Sequence, residues 1–171
     1  MTAPTATAPI SQIAFGDLAH ELSSTRRILE RVPDGRNDWA PHDKSMSLLR
    51  LASHVADLPR FALAMLDRDE LDIADGSFVT PKLETRDALL AHFDEGAAAL
   101  TNALNAADAD ALARPWTFRR GEHVILSRPR GALVRGMGIN HLIHHRAQLQ
   151  VYLRLLGVPV PGLYGPSADE R

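Results

Sequence analysis

The stretch GALVRGMGINHLIHHRAQLQVYLRLLG, residues 131–157, decides the fold because it predicts one long helix with two apolar faces. We expect this helix to begin between Arg130 and Ala132 and to end at Leu156, with Gly157 just past its last turn. One face consists of Val134, Gly138, His141, His145, Tyr152 and Leu155. The other face consists of Leu142, Leu149, Leu153 and Leu156. Such a helix is buried on two sides, either centrally in a domain or partly in a subunit contact.

Three further helices are predicted from apolar residues that recur at helical spacing. They run from about Ser11 to Arg31, from Ser45 or Ser47 to Leu66, and from about Leu83 to Ala107. Pro59 falls inside the second of these and predicts a kink or a break. The acidic segment DRDELDIADGSF, residues 67–78, is typical of a loop. The segment WTFRRGEHVILSRPRG, residues 116–131, indicates a short hairpin or an ordered loop.

These elements predict an all-α fold, a four-helix bundle with the option of a short β-hairpin before the last helix. The chain of 171 residues suits one domain, which we expect to span residues 1–171, with residues 1–10 and 160–171 loose or in coil. There is no cysteine, which excludes disulfides, thiolate metal ligands and cysteine nucleophiles and fits the cytoplasm. No apolar run approaches the ~18 residues of a membrane helix, so no membrane partner is expected.

The charge is distributed unevenly along the chain. The net charge of −2 argues against a nucleic-acid partner. Residues 1–113 carry 10 basic and 18 acidic side chains, whereas residues 114–171 carry 9 basic and 3 acidic ones. Two interpretations of the second half remain open. Its arginines either pair with the acids of the first half or form an anion-attracting mouth to a pocket.

Three of the eight histidines are expected to face the interior of the bundle. His141 and His145 are four residues apart, so their side chains lie on one face of the last helix. His54 lies on the apolar face of the second helix. An unpaired imidazole in a core is costly, so we expect the three to bind one divalent cation; the alternative is a private hydrogen-bond partner for each.

The ligand set limits which metals fit. Imidazole ligands without thiolates favour zinc or nickel, with iron or copper as further options, over magnesium or calcium. Three protein ligands leave at least one coordination position open to water or substrate, which is typical of catalytic sites. A metal of this kind activates a bound water or thiol, or polarises a carbonyl group.

Two polar residues near the predicted ligands have several possible roles. Asp57, one turn beyond His54, is a candidate to hold a ligand imidazole or accept a proton, and otherwise a surface acid. His92 is a candidate fourth ligand or a histidine at the edge of the core.

Four residues are candidates for the mouth of a substrate pocket. Trp39 and Trp116 are loop aromatics that either line the mouth, together with Phe118, or cap the core. Arg146 either meets an anionic substrate or pairs with an acid. His144 either supports the metal ligands, lines the pocket or lies on the surface.

The sequence resembles the DinB/YfiT-like family, most closely its DinB branch. The strongest part is NHLIHHRAQLQVYLRLLGVPVPGLYGPSADE, residues 140–170. WAPHDKSMSLLRLASHVADLP, residues 39–59, and WTFRRGEHVILSRPRGALV, residues 116–134, support it. The resemblance extends from about Ser11 to Glu170. The family signature usually has a glycine where this chain has Ala147, a change that touches no ligand.

The resemblance implies a four-helix bundle of up-down-down-up topology, commonly a homodimer. It also implies a divalent metal held by a histidine on the second helix and a His-x3-His pair on the last, which correspond to His54, His141 and His145. Activities in the wider superfamily include transferases and isomerases that use low-molecular-weight thiols such as bacillithiol or mycothiol, and related hydrolases.

Two functional hypotheses follow from these observations. The first is a metal-dependent transferase or hydrolase that activates a thiol or water for reaction with a small molecule. The alternative is a non-catalytic metal-binding protein with a stress-response or scaffold role. A third option, nucleic-acid binding through the arginine-rich half, is opposed by the net charge of −2.

Overall fold

The computed structural model describes residues 10–170 and is mostly helical, with one small three-stranded sheet. The predicted loose arm, residues 1–10, lies outside the described residues except for Ile10. The helices are α1 (Ile10–Ala14), α2 (Leu18–Leu29), α3 (Leu48–Asp67), α4 (Arg86–Ala106), α5 (Ala109–Ala113), α6 (Arg130–Leu133) and α7 (His141–Leu155). A π-helical segment, Val134–Asn140, joins α6 to α7.

The first predicted helix is divided by a turn. α1 ends at Ala14 and α2 begins at Leu18, so the prediction of one helix from Ser11 to Arg31 was wrong. The Arg135 guanidinium hydrogen-bonds the Ala14 carbonyl and donates to both carboxylate oxygens of Asp17, at 2.9 and 2.8 Å. These contacts satisfy a carbonyl at the end of α1 and hold the turn in place.

The helix that carries His54 forms as predicted. The hydroxyl of Ser47 accepts a hydrogen bond from the Arg50 backbone amide at 3.3 Å and caps α3. The helix continues through Pro59, so a break at that position was wrong. Pro59 is buried against α4 at Gly96, where an added Cβ would lie 3.5 Å from the Pro59 side chain. Packing against α4 therefore supports α3 at the proline.

The sheet lies beside α3 and combines the predicted hairpin with an unpredicted strand. β2 (Pro115–Arg120) and β3 (His123–Pro129) are antiparallel, and β1 (Glu70–Asp72) pairs with β2 in parallel. The prediction of a loop over residues 67–78 was therefore wrong at β1. Arg119 of β2 forms ion pairs with Glu70 and Asp72, which secures a strand too short to show a period in the sequence.

The last helical stretch runs continuously from Arg130 to Leu155 and lies centrally. Its leucine face is buried inside the chain at Leu142, Leu149 and Leu153, so the central option describes this face. The other face was also expected to be buried, and Leu155 is an exception because 61% of its surface is exposed. The sequence did not predict the π-helical segment, which precedes the first of the two histidines on this stretch.

Within the described residues, four arginines of the second half pair with acids of the first half, as one interpretation predicted. Arg119, Arg130, Arg135 and Arg146 bind acids between Asp17 and Asp72. Residues 160–170 contain no helix or strand, in keeping with the expected coil, but they are not loose. Arg27 donates to the Gly162 carbonyl, and Asp169 accepts from the Val160 amide.

None of the helices within residues 10–170 is both long enough and apolar enough to cross a bilayer.

Candidate metal centre

Three histidine side chains converge between α3 and α7. The Nε2 atoms of His141 and His145 are 2.8 Å apart, and those of His54 and His141 are 3.4 Å apart. Each ring offers a nitrogen within 4.8 Å of the nitrogens of the other two. The ring centroids of His54 and His145 are 4.6 Å apart, with the planes nearly perpendicular. This cluster could hold a metal ion.

Two elements bring the rings together. His54 lies in the middle of α3, and α7 begins at His141, so that His145 lies one turn along the same face. α3 packs against both α7 and the π-helical segment. The three rings are therefore carried by helices rather than by loops. Helices hold side chains more rigidly than loops do.

The hydrogen-bond partners of the two α7 rings fix their tautomers. Nδ1–H of His141 donates to the Met137 carbonyl in the π-helical segment, at 3.3 Å. Nδ1–H of His145 donates to Oε1 of Gln148 at 2.7 Å. With both Nδ1 atoms protonated, the neutral rings carry their lone pairs on Nε2.

The environment keeps all three rings neutral near pH 7. Burial, together with the nearby His145 and His141 rings, lowers the pKa of His54 to about 4. Burial also lowers the pKa of His141 and of His145, which their Nδ1 hydrogen bonds oppose in part. Neutral imidazoles are the form that binds metals.

The donor set fits a divalent cation. Two Nε2 lone pairs that face each other at 2.8 Å repel unless a cation or a proton lies between them. Nitrogens bound tetrahedrally to one zinc at ~2.0–2.1 Å lie roughly 3.3 Å apart, close to the 3.4 Å between His54 and His141. The three residues predicted as ligands therefore form a cluster that could hold one metal ion.

Two cavities meet at the histidines. An open cleft of about 510 Å³ is lined by all three rings together with Met46, Arg50, Val79 and Thr80. A smaller cavity of about 160 Å³ also borders His54 and His141. The cluster is thus accessible to a small molecule from solvent.

Asp57 is buried beside this smaller cavity, which rules out the surface alternative. Its Oδ1 accepts hydrogen bonds from Arg60 Nε at 2.7 Å and from His92 Nε2 at 2.8 Å, and Arg60 Nη2 donates to Oδ2 at 3.2 Å. Within residues 10–170, the carboxylate makes these bonds with Arg60 and His92 rather than with His54. His92 accordingly lies outside the three-histidine cluster. A catalytic role for Asp57 stays a prediction.

The structure places three predicted mouth residues away from the cleft. Trp116 is fully buried and donates from Nε1 to the Ala64 carbonyl at 3.2 Å, so it caps the core. Trp39 packs edge-on against Tyr152. Arg146 is 1% exposed and pairs with Glu21, which corrects the expectation of an anion contact in favour of the ion-pair alternative.

His144 is exposed and connects to the cluster through one residue. The Gln148 amide nitrogen donates to Nε2 of His144 at 3.1 Å, while the amide oxygen of the same side chain accepts from His145. Of the three roles considered for His144, support of a ligand fits these contacts, because it orients the amide that holds His145.

Comparison with known proteins identifies the family. A sequence model of the DinB family matches residues 15–171. The chain belongs to the DinB family. The expected resemblance is therefore confirmed over nearly the whole chain.

Two solved structures share the fold of this DinB-family chain. A DinB-like protein from Bacillus subtilis (YjoA) superposes with a TM-score of 0.65, at 18% identity over 89% of this chain and 96% of that one. A DinB-like protein from Bacillus cereus ATCC 10987 gives a TM-score of 0.63, at 20% identity over 88% of this chain and 95% of that one.

One curated relative also matches this DinB-family chain. The uncharacterized protein YrdA of Bacillus subtilis (strain 168) is 37% identical over 68 residues, or 35% of this chain and 38% of YrdA. The match therefore spans well under half the length of that relative.

Several residues around the metal centre were missed by the sequence analysis. Arg50 and Thr80 line the open cleft, and Phe61 and Phe78 line the smaller cavity. Arg50 lies one turn before His54 on α3, a spacing that could have identified it. Thr80 and Phe78 lie in the segment between β1 and α4, where no periodicity signals a contact.

Proposed function

We propose that this DinB-family protein is a metal-dependent enzyme that acts on a small molecule. His54, His141 and His145 would hold a divalent ion, zinc or nickel in preference to iron or copper. The observation that supports the proposal is the convergence of three histidine Nε2 atoms at the edge of an open cleft. The expected up-down-down-up bundle, the homodimer and the thiol co-substrate belong to the same proposal.

The bound ion would lower the pKa of a water or thiol and polarise a substrate bond. The chain supplies the remaining functions. Met137 and Gln148 orient the ligand rings, and the cleft admits the substrate. Asp57, held in place by Arg60 and His92, places a fixed negative charge near His54. A catalytic metal site keeps one coordination position free of protein ligands, and substrate reaches that position through an opening such as this cleft.

The cleft also favours a catalytic over a purely structural metal. Structural zinc sites have four protein ligands and exclude solvent. Within the described residues, the cluster contains three such groups and borders the cleft. If the metal were structural, its removal would lower the melting temperature strongly, because binding energy would then be folding energy. We expect removal of the metal to lower the melting temperature only modestly.

Zinc titration of the metal-free protein tests the proposal directly. We expect one zinc ion per chain by calorimetry and elemental analysis. His54→Ala should weaken binding at least ~30-fold, because two imidazoles then remain of three. The matched control is His123→Ala, an exposed histidine on β3 whose loss should leave the affinity unchanged. Equal affinities of the His54→Ala, His123→Ala and unaltered proteins would contradict the proposal.

Gln148→Leu is expected to weaken zinc binding by about tenfold while the melting temperature stays within a degree or two. The leucine removes the oxygen that accepts Nδ1–H of His145, and partners of this kind typically contribute 10- to 100-fold in metal affinity. Gln148 is exposed, so the fold should not depend on it. Gln148→Glu keeps an acceptor oxygen and should retain near-normal affinity. Normal affinity in Gln148→Leu would show that the hydrogen bond does not position the ring.

A further inference from the structure

The smaller cavity beside the histidines has an apolar wall of six side chains. They are Leu58, Phe61, Leu71, Ile73, Phe78 and Phe118. The Phe61 ring packs edge-to-face against Phe78 at 5.6 Å and against Phe118 at 6.4 Å between centroids. The Arg60 guanidinium lies over the outer Phe78 ring at 4.0 Å, which holds this aromatic wall in place.

The volume of this cavity matches a single aromatic ring. It measures about 160 Å³. An engineered cavity of about 150 Å³ with a similar lining of leucine, isoleucine and phenylalanine stays dry and binds benzene. A site of this size and lining accepts a phenyl or a compact branched alkyl group and excludes larger ones.

The one acid among the described residues that line the cavity already accepts three hydrogen bonds, which occupy most of its acceptor sites. Both Asp57 oxygens accept from Arg60, and one also accepts from His92. A charged substituent in the cavity would lose its hydration and find few polar groups there to replace the lost water. The cavity therefore selects an apolar group, and the histidine edge is where a polar group can lie.

We propose that the substrate carries a benzene-sized apolar group that occupies this cavity, joined to a polar reacting group that faces His54 and His141. The inference rests on the proposed function for the polar end only. The apolar end depends on the cavity alone, so the two can be tested separately.

Binding of benzene to the metal-free protein tests the cavity. Saturable chemical-shift changes are expected for the methyl groups of Leu58, Leu71 and Ile73, with a dissociation constant on the order of 1 mM. Ile73→Trp should fill the cavity and weaken benzene binding at least tenfold. Ile125→Trp, at an exposed position on β3, is the matched control and should bind benzene normally. Absence of saturable shifts in the unaltered protein, or equal binding by both variants, would overturn the inference.

A pair of metal-binding probes tests the connection between the cavity and the histidines. Benzohydroxamate should bind the zinc-loaded protein roughly 30-fold more tightly than acetohydroxamate, because its ring leaves water while the chelating group is the same. Ile73→Trp should remove most of this difference and leave acetohydroxamate binding unchanged. Equal affinities of the two probes would overturn the inference although the metal site exists. If zinc does not bind, the proposed function fails, and the benzene measurement still decides on the cavity.

Discussion

Arg146→Met is expected to lower the free energy of unfolding by about 3–5 kcal/mol. Arg146 Nη2 lies 2.8 Å from Oε2 of Glu21, and Nη1 donates to the Glu21 carbonyl at 3.0 Å. Both side chains are almost fully buried. Methionine has a similar length but no charge, so the Glu21 carboxylate would remain buried without its partner, which is far more costly than the loss of a surface pair.

Urea denaturation of matched variants measures this effect. Arg154→Met is the control on the same helix, since its pair with Asp169 is largely exposed and should contribute at most about 1 kcal/mol. The double variant Glu21→Leu/Arg146→Met removes both charges and should recover at least half of the loss, because no unpaired charge remains. A loss below about 1 kcal/mol for Arg146→Met would show that Glu21 finds another partner or water.

The Arg146 pair also lies next in sequence to the three-histidine cluster. The pair connects α7, at the residue next to His145, to α2. The Tyr164 hydroxyl donates to Oε1 of Glu21 at 2.6 Å, which extends this connection to the C-terminal segment. We infer that the pair fixes the rotation of α7 and therefore the direction of the two α7 imidazoles.

Arg146 illustrates which contacts can be predicted from a sequence and which cannot. The three histidines could be predicted because helical spacing alone places His141 and His145 together, and burial of the α3 face adds His54. The ion pair could not be chosen over an anion contact, because Glu21 lies 125 residues away and only packing brings it near. The same holds for His92, which reaches Asp57 across 35 residues.

Secondary structure was predictable to a similar degree. Long amphipathic helices and the hairpin follow from periodicity, and the start of α3 lies next to Ser47, one of the two positions predicted for it. β1 is only three residues long, so no period reveals it, and Arg119 of the neighbouring strand pairs with its acids. The π-helical segment retains an apolar pattern that a plain α-helix also fits, so periodicity does not distinguish the two.

Gly138→Ala should lower the free energy of unfolding by about 2–3 kcal/mol and weaken zinc binding by about tenfold. An added Cβ at Gly138 would lie 2.8 Å from Cβ of Ala62 on α3, a clash that only separation of the helices relieves. These helices carry His54 and His141, and the neighbouring Met137 carbonyl holds His141. The clash should therefore move one ligand relative to the other.

Two comparisons separate the effect of the close contact between residue 138 and Ala62 from the effect of replacing a glycine. Gly136→Ala lies in the same π-helical segment, where an added Cβ meets nothing within 4 Å, and should be neutral or stabilising by up to about 1 kcal/mol. Adding Ala62→Gly to Gly138→Ala removes the opposing methyl group, so the double variant should regain zinc affinity. Equal effects of Gly136→Ala and Gly138→Ala would mean that backbone freedom of the segment, and not its distance from α3, sets the geometry of the histidines.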